Sequence, residues 1–172
     1  MNIQIRPELQ CEYECVENIT RDAFSRNDEA TLLNTIRKTP NYIPELSLVA
    51  RNEEEVLGHI LFTKVRIINE ETEHTSIALG PMSVISSRQK EHIGSQLVLA
   101  GLDAAKQLGY SHVIVLGHEN YYPKFGFQPA KSFGIRASFD VPSSYFMARE
   151  LDEGSLSKVS GFVVYDDAFS CL

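Results

Sequence analysis

One segment of the chain, residues 80–95, combines groups that could bind a small anion. A predicted strand enters a loop here, and the loop opens a helix, whose free N–H groups and positive dipole end favour negative charge. Gly94 would let a phosphate approach the backbone, and Arg88 and Lys90 add positive charge. From these residues alone two interpretations stay open: an anion site, or an ordinary loop with basic residues at its rim.

A second segment, residues 117–127, carries groups that could transfer a proton. It reads GHENYYPKFGF, and its adjacent tyrosines are Tyr121 and Tyr122. A positioned hydroxyl can act as a general acid. An aromatic cluster of this kind is, by itself, more typical of core packing than of catalysis.

Both segments resemble motifs of one family. Neither GxxxxGK(S/T) nor GxGxxG occurs after a predicted strand. Residues Gln89-x-x-His92-x-Gly94 instead resemble the acyl-CoA loop Q/R-x-x-G/A-x-G/A of the GNAT superfamily of N-acetyltransferases, although His92 stands where the family has Gly or Ala. Residues 117–127 resemble the family's Y-x-x-x-G-F segment. Nearly the whole chain resembles a bacterial branch of predicted acetyltransferases whose substrates are largely unassigned.

The resemblance implies an acetyl-CoA-dependent N-acetyltransferase without a metal, in which a primary amine attacks the thioester directly in a ternary complex. In such proteins the loop amides bind the CoA pyrophosphate, and the pantetheine arm lies beside the central strand like an added strand. The resemblance puts Tyr122 at the position of the usual general acid, which protonates the leaving thiolate. The cofactor-binding residues that it implies are Met82, Ser83, Val84, Gln89, Lys90, Glu91, His92, Ile93, Gly94 and Ser95.

The acceptor and the base that deprotonates it stay open at the level of the sequence. A small-molecule amine and a protein amine both fit, and the candidates for the base are His118, Glu119, Glu29 and Glu45. An alternative function is an acyl-CoA-binding sensor or scaffold module with little or no transferase activity. His92 in the loop and the lack of an obvious base favour that alternative.

The elements expected around these segments are those of a mixed α/β protein. Alternation and apolar runs predict strands at residues 2–6, 46–51, 56–68, 74–85, 112–116, 145–151 and 161–165. Helical spacing predicts helices at residues 8–24, 28–38 and 93–108, with Asp28 as an N-cap, Gly109 ending the third, and Pro40 and Pro44 breaking the chain. The expected fold is a GNAT-like mixed, mostly antiparallel sheet with a central parallel, splayed strand pair and flanking helices.

Length and composition argue against several classes of protein. The 172 residues suit a single domain over 1–172 with a sizeable core, and the net charge of -7 argues against a nucleic-acid partner. No apolar run reaches the roughly 18 residues of a membrane span, and the N-terminus lacks a signal-peptide layout. Three cysteines favour a reduced, cytoplasmic setting, and Cys11 and Cys15 are expected to be helix residues rather than metal ligands. A sheet edge or the C-terminal strand could support a homodimer.

Overall fold

The computed structural model describes residues 2–172, which form two compact units. The first unit contains residues 2–63, Gly80–Ala104 and Asp167–Leu172, and the second contains Lys64–Leu79 and Ala105–Asp166. The strands are β1 (Gln4–Pro7), β2 (Tyr42–Arg51), β3 (Val56–Ile68), β4 (Glu73–Val84), β5 (His112–Leu116), β6 (Gln128–Pro129), β7 (Ile135–Ala137), β8 (Phe146–Glu150) and β9 (Gly161–Val164). The α-helices are α1 (Tyr13–Phe24), α2 (Asp28–Ile36) and α3 (Ile93–Gln107).

In the first unit the strands follow the order β1-β2-β3-β4, and β1 and β3 both run antiparallel to β2. The amphipathic helices α1 and α2 supply apolar side chains to a core that also contains residues of β2 and β3. The fully or nearly buried members of this core are Val16, Ile19, Leu33, Ile36, Val49, Val56 and Leu61. Ala168 and Phe169, from the short 3-10 helix Asp167–Cys171, pack against the same core.

In the second unit β5 pairs in parallel with β4, and the paired residues run from Ile77 with Val113 to Leu79 with Val115. On its other side β5 pairs antiparallel with β8, which in turn pairs with β6. The end of β3 pairs antiparallel with β9, and β9 pairs in parallel with β7. The mixed, mostly antiparallel sheet with a parallel pair at β4 and β5 is therefore confirmed.

An Asn side chain closes each of the two turns, between β2 and β3 and between β3 and β4. The side-chain oxygen of Asn52 accepts the backbone N–H groups of Glu54 and Glu55 at 2.9 and 2.8 Å. Asn69 accepts two backbone N–H groups in the same way, both at 2.8 Å. Asn commonly closes turns because its side chain replaces a backbone acceptor. The acidic residues next to each Asn are exposed, as expected of solvated hairpin tips.

Among the differences from the predicted elements, three errors have a clear local cause. The first helix begins at Tyr13 rather than at residue 8, because the Glu8 N–H donates to the Ser47 carbonyl at 2.8 Å and so belongs to a strand contact. Asp28 is the first residue of α2 rather than its N-cap, which is Asn27. Pro44 does not break the chain but lies within β2, where the register with β3 shifts and no ladder bond is needed from its nitrogen.

A buried polar cluster in the first unit was not predicted at all. The Glu8 carboxylate accepts two hydrogen bonds from Arg37, at 3.0 and 2.8 Å, and further bonds from the hydroxyls of Tyr42 at 3.1 Å and Ser47 at 2.6 Å. Because the Ser47 proton is committed to Glu8, Nε2 of His59, 2.8 Å from Ser47 Oγ, must carry the proton and donate it. The cluster therefore ties α2, β2 and β3 together through charge-assisted hydrogen bonds.

Burial determines the protonation states of this cluster. Burial lowers the pKa of His59 to about 4, although the Glu8 carboxylate partly opposes that effect. Protonation would add an N–H at Nδ1, which is buried and for which residues 2–172 offer no hydrogen-bond partner. For Glu8, burial alone raises the pKa, but the hydrogen bonds from Arg37 and Ser47 and the positive charge of Arg37 bring it below its ordinary value. The folded cluster thus holds a neutral imidazole and an ionised carboxylate.

The neutral state of His59 predicts an acid-sensitive stability. Unfolded His takes up a proton below about pH 6.5 while the folded ring does so only near its pKa of about 4, so stability should fall as the pH drops through this window. The slope can reach about 1.4 kcal/mol per pH unit. Urea unfolding of wild type and His59→Gln at pH 7.0, 5.5 and 4.5 measures it. A flatter slope in His59→Gln is expected, whereas His118→Gln, which changes an exposed ring, should keep the wild-type slope. Equal slopes in wild type and His59→Gln would contradict this assignment.

Candidate active site

Two contacts define where the backbone N–H and C=O groups point at the end of β4. The Ser83 carbonyl lies against β3, since a Cβ built on Gly58 would be 2.8 Å from its oxygen. The Ile85 N–H also donates to β3, to the Leu57 carbonyl at 2.9 Å. Backbone groups of successive strand residues point to opposite edges. The N–H and C=O groups of Met82 and Val84, the immediate neighbours of Ser83, therefore point to the edge away from β3.

Side chains fix this strand end as well. Ser83 is buried, and its hydroxyl lies 3.3 Å from that of Thr20 on α1. Thr20 donates its own proton to the Val16 carbonyl at 2.8 Å, so Ser83 is the donor in the pair. Met82 and Val84 are half-buried. The predicted pantetheine-binding residues thus sit on a strand end that is anchored on one edge and one face.

The loop after β4 contains two residues with left-handed backbone. A 3-10 turn at Ser86–Arg88 leads into it, and Lys90 and His92 have φ values of 67° and 63°. Residues other than Gly rarely adopt this conformation, because Cβ then crowds the following carbonyl. His92 therefore occupies a backbone conformation that suits the Gly of the family motif. Its own carbonyl accepts the Gln96 N–H at 3.0 Å and so begins the hydrogen-bond ladder of α3.

The predicted loop residues differ in exposure. Gln89, Lys90, Glu91 and His92 are exposed, Ile93 is buried, and Gly94 and Ser95 are half-buried in the first turn of α3.

Contacts within the loop hold it in shape. The Gln89 side-chain amide donates to the Val84 carbonyl at 3.4 Å, which links the loop to the strand end. Arg88 pairs with Glu91, with Nε and Oε2 at 2.7 Å. This arrangement brings the backbone N–H groups at the start of α3 and the end of β4 into one unit, as an anion site beside a strand edge requires.

Tyr122 lies in the second unit, on the 3-10 turn Tyr122–Phe125. Its ring is buried and packs edge-on against Tyr121 and Phe127, with centroids 5.1 and 5.7 Å away. Burial, with a smaller contribution from Tyr121, raises its pKa to about 12. The phenol therefore stays protonated at neutral pH, as a proton donor must.

The candidate bases differ in their surroundings. Glu29 is buried and forms an ion pair with Arg26, so its charge is already compensated. His118 is exposed, and its Nδ1 accepts the Asn120 N–H at 3.1 Å, which puts the proton of the neutral ring on Nε2. Glu119 and Glu45 are exposed. These contacts single out none of the four as the base.

Cys11 lies in a 3-10 turn and Cys15 in α1, and both are exposed. Within residues 2–172, no three His, Cys, Asp or Glu side chains are close enough to share a metal ion. In the same range none of the helices is both long and apolar enough to span a membrane.

Comparison with known proteins identifies the family. The model of the Acetyltransferase (GNAT) family matches residues 6–127, well over half of the chain. The chain therefore belongs to the GNAT acetyltransferase family, and the resemblance predicted from its motifs is confirmed.

Three relatives illustrate the extent of the similarity. The chain is 33% identical over 131 residues to the uncharacterized N-acetyltransferase YjhQ of Escherichia coli K12, covering 76% of this chain and 72% of the relative. It is 29% identical over 167 residues to the uncharacterized N-acetyltransferase YhbS of the same strain, and the match covers 96% of this chain and 98% of the relative. The crystal structure of E. coli YhbS in complex with CoA has a TM-score of 0.92 at 26% identity and covers 99% of this chain and 93% of that one. The crystal structure of a GNAT family acetyltransferase from Brucella melitensis in complex with acetyl-CoA has a TM-score of 0.80 at 28% identity and covers 98% of each chain.

The left-handed conformation of His92 predicts that the usual order of stability between an Ala variant and a Gly variant is reversed at this position. At this position His92→Gly should be more stable than His92→Ala by about 1 kcal/mol, because only Gly adopts φ near 63° without Cβ strain. At Gln96, an exposed position inside α3, the order should be the ordinary one, with Ala about 1 kcal/mol more stable than Gly. Urea unfolding of the four variants without ligand measures both differences. An Ala variant at residue 92 as stable as the Gly variant would contradict the strained loop.

Proposed function

We propose that the chain transfers the acetyl group of acetyl-CoA to a primary amine by direct attack within a ternary complex. The amine nitrogen forms a bond to the thioester carbonyl carbon, the carbon–sulfur bond breaks, and the leaving sulfur takes a proton from Tyr122. The amine loses a proton to solvent or to a base that stays unassigned. The observation that carries the proposal is the end of β4, where the backbone groups of Met82 and Val84 point away from β3.

Acetyl-CoA as the donor is supported by the family and by two relatives. The YhbS structure is a complex with CoA, and the Brucella melitensis structure is a complex with acetyl-CoA. Both are more than 25% identical to this chain over almost its whole length. The residues present fit such a ligand, because a strand edge can pair with the amides of a pantetheine arm and a helix start favours phosphate.

Pyrophosphate binding is assigned to the loop and the first turn of α3. Gln89, Lys90, Glu91, His92, Ile93, Gly94 and Ser95 are the residues proposed to contribute, mainly through backbone N–H groups. The left-handed residues Lys90 and His92 re-orient successive peptide groups, and such turns create concave arrangements of N–H groups that bind anions. The Lys90 ammonium is exposed and adds positive charge to a protein with a net charge of -7.

The role of Tyr122 as the general acid rests on its family position and its protonation state. A pKa of about 12 keeps the phenol protonated, but transfer to a thiolate of pKa about 8.5 is then uphill by about 5 kcal/mol. We infer that Tyr122 acts by hydrogen bonding to the sulfur as negative charge develops, with the proton moving late. Such a positioned donor typically contributes about 100- to 10,000-fold to the rate.

The acceptor is proposed as a class only. A neutral primary amine is the nucleophile that this chemistry needs, and it belongs to a small molecule or to a protein. The net charge of -7 would steer a cationic amine toward the protein, an effect that weakens as salt is added.

Donor binding predicts a ligand-dependent stabilisation. CoA at about 100 times its dissociation constant should stabilise the protein by about 2.7 kcal/mol, visible as a rise in Tm. Gly94→Glu should abolish the rise, because it puts a negative side chain into the first turn of α3. Gln107→Glu, which adds the same charge at the opposite end of α3, should keep it. If CoA does not raise the Tm of the wild-type protein, acetyl-CoA is not the donor.

Catalysis by Tyr122 predicts a loss of turnover without a loss of binding. Wild type is first assayed for CoA release from acetyl-CoA with a panel of primary amines, and labelled products are identified by mass spectrometry. With the fastest amine, Tyr122→Phe should lower kcat roughly 100-fold and leave KM for acetyl-CoA unchanged. Tyr121→Phe, which keeps the neighbouring ring, should retain wild-type kcat. Full activity of Tyr122→Phe removes this residue from the mechanism, and CoA binding without any acetylated product favours a sensor or scaffold.

A further inference from the structure

The ring of Tyr122 is confined by aromatic neighbours from its own segment. Tyr121 and Phe127 contact it edge-on, with interplanar angles of 89° and 78°, and the Phe125 centroid lies 6.5 Å away at 55°. Only about 9% of the residue is exposed. These ring contacts define one packed position for Tyr122 within the second unit.

A further side of the ring is formed by backbone, at Gly117. A Cβ built on Gly117 would lie 2.7 Å from Cδ2 and 3.2 Å from Cζ of Tyr122, and closer still to Cε2. Carbon atoms that are not bonded do not approach this closely, so any side chain at residue 117 would displace the ring. Gly117 is thus required here for space, since its backbone is not in the left-handed region.

The backbone of Gly117 is itself held in place. Its N–H donates to the Tyr145 carbonyl at 2.9 Å, just before β8 begins. The next residue, His118, accepts the Tyr121 N–H at 3.0 Å and the Tyr122 N–H at 3.4 Å. The turn that begins at Gly117 therefore carries both the phenol and the surface on which the phenol rests.

We propose that Gly117 is a positioning residue for catalysis, and that the missing side chain at this position sets where the Tyr122 hydroxyl lies. This inference rests on the proposed role of Tyr122 as proton donor. The backbone at residue 117 is hydrogen-bonded to Tyr145, so a methyl group there would displace the Tyr122 ring, and the rings around Tyr122 would have to shift with it. A displacement of about 1 Å at a reacting group can cost about 100-fold in rate.

A double-mutant cycle tests the proposal. Gly117→Ala, Tyr122→Phe and the double variant are assayed for kcat and for KM of acetyl-CoA, with the fastest amine or, if no amine exceeds it, with water as acceptor. Gly117→Ala should lower kcat 10- to 100-fold and leave KM within twofold. In the Tyr122→Phe background the same change should alter kcat less than twofold, because the hydroxyl that it displaces is already gone.

The control separates positioning from a general loss of stability. Gly154→Ala makes the same substitution in the second unit, at a φ of 79° and with no heavy atom beyond its two chain neighbours within 4 Å of the added Cβ. It should lower stability through backbone strain but keep wild-type kcat and KM. A crystal structure of Gly117→Ala gives a readout independent of activity, with the Tyr122 hydroxyl expected to have moved by about 1 Å. If Gly117→Ala does not fold, Phe127→Leu, which loosens the ring from another neighbour, should show the same dependence on Tyr122.

The possible failures are distinguishable. Wild-type kcat in Tyr122→Phe overturns the proposed acid and, with it, positioning through that acid. A reduced kcat in Tyr122→Phe together with an unchanged kcat in Gly117→Ala overturns only the positioning role. Equal losses from Gly117→Ala in both backgrounds, or an unmoved hydroxyl in the crystal structure, also overturn it, because residue 117 would then act by another route.

Discussion

The end of β4 is held against β3 by its backbone, and the rest of the candidate donor site depends on this contact. The Ser83 carbonyl fits beside β3 because Gly58 has no side chain, and the Ile85 N–H bonds to Leu57. Once one set of backbone groups is used in this way, the alternation of a strand leaves the other set at the opposite edge. An extended ligand arm can bond to such a strand edge through backbone groups alone, so this mode of binding requires no charged or reactive side chain at the strand end.

The buried cluster around Glu8 shows how the first unit tolerates a charge in its interior. Removing a carboxylate from water is costly, and a lone buried carboxylate would destabilise the fold by several kcal/mol. Here the two hydrogen bonds from Arg37 and those from the hydroxyls satisfy the carboxylate oxygens. The cluster links Arg37, at the end of α2, to Tyr42 and Ser47 of β2 through the Glu8 carboxylate, and such directional hydrogen bonds depend on alignment more strongly than apolar contacts do.

Local patterns in the sequence predicted much of the fold, and contacts between distant residues account for most of what they missed. The apolar runs at residues 56–68 and 112–116 predicted β3 and β5 with their observed bounds, because buried strands need continuous apolar character. The Glu8 to Arg37 pair joins residues 29 positions apart, and no periodicity encodes it. The loop motif gave the position of His92 but not its left-handed backbone, which depends on how the loop enters α3. The aromatic residues of this segment predicted a cluster around Tyr122, whereas the fit of its ring against Gly117 depends on how the backbone turns between the two residues.

The short 3-10 helix at Asp167–Cys171 has a consequence for how the chain is made. Ala168 and Phe169 pack against the core of the first unit, and the Cys171 thiol lies 3.6 Å from the Asp28 carbonyl oxygen, yet all three follow the second unit in the chain. A ribosome adding about 5–20 residues per second needs roughly 3 to 12 seconds to translate residues 105–166. During that interval α1 and α2 have already been synthesised, but the core that they help to form still lacks the side chains of Ala168 and Phe169, so its packing is completed only when the last residues are made.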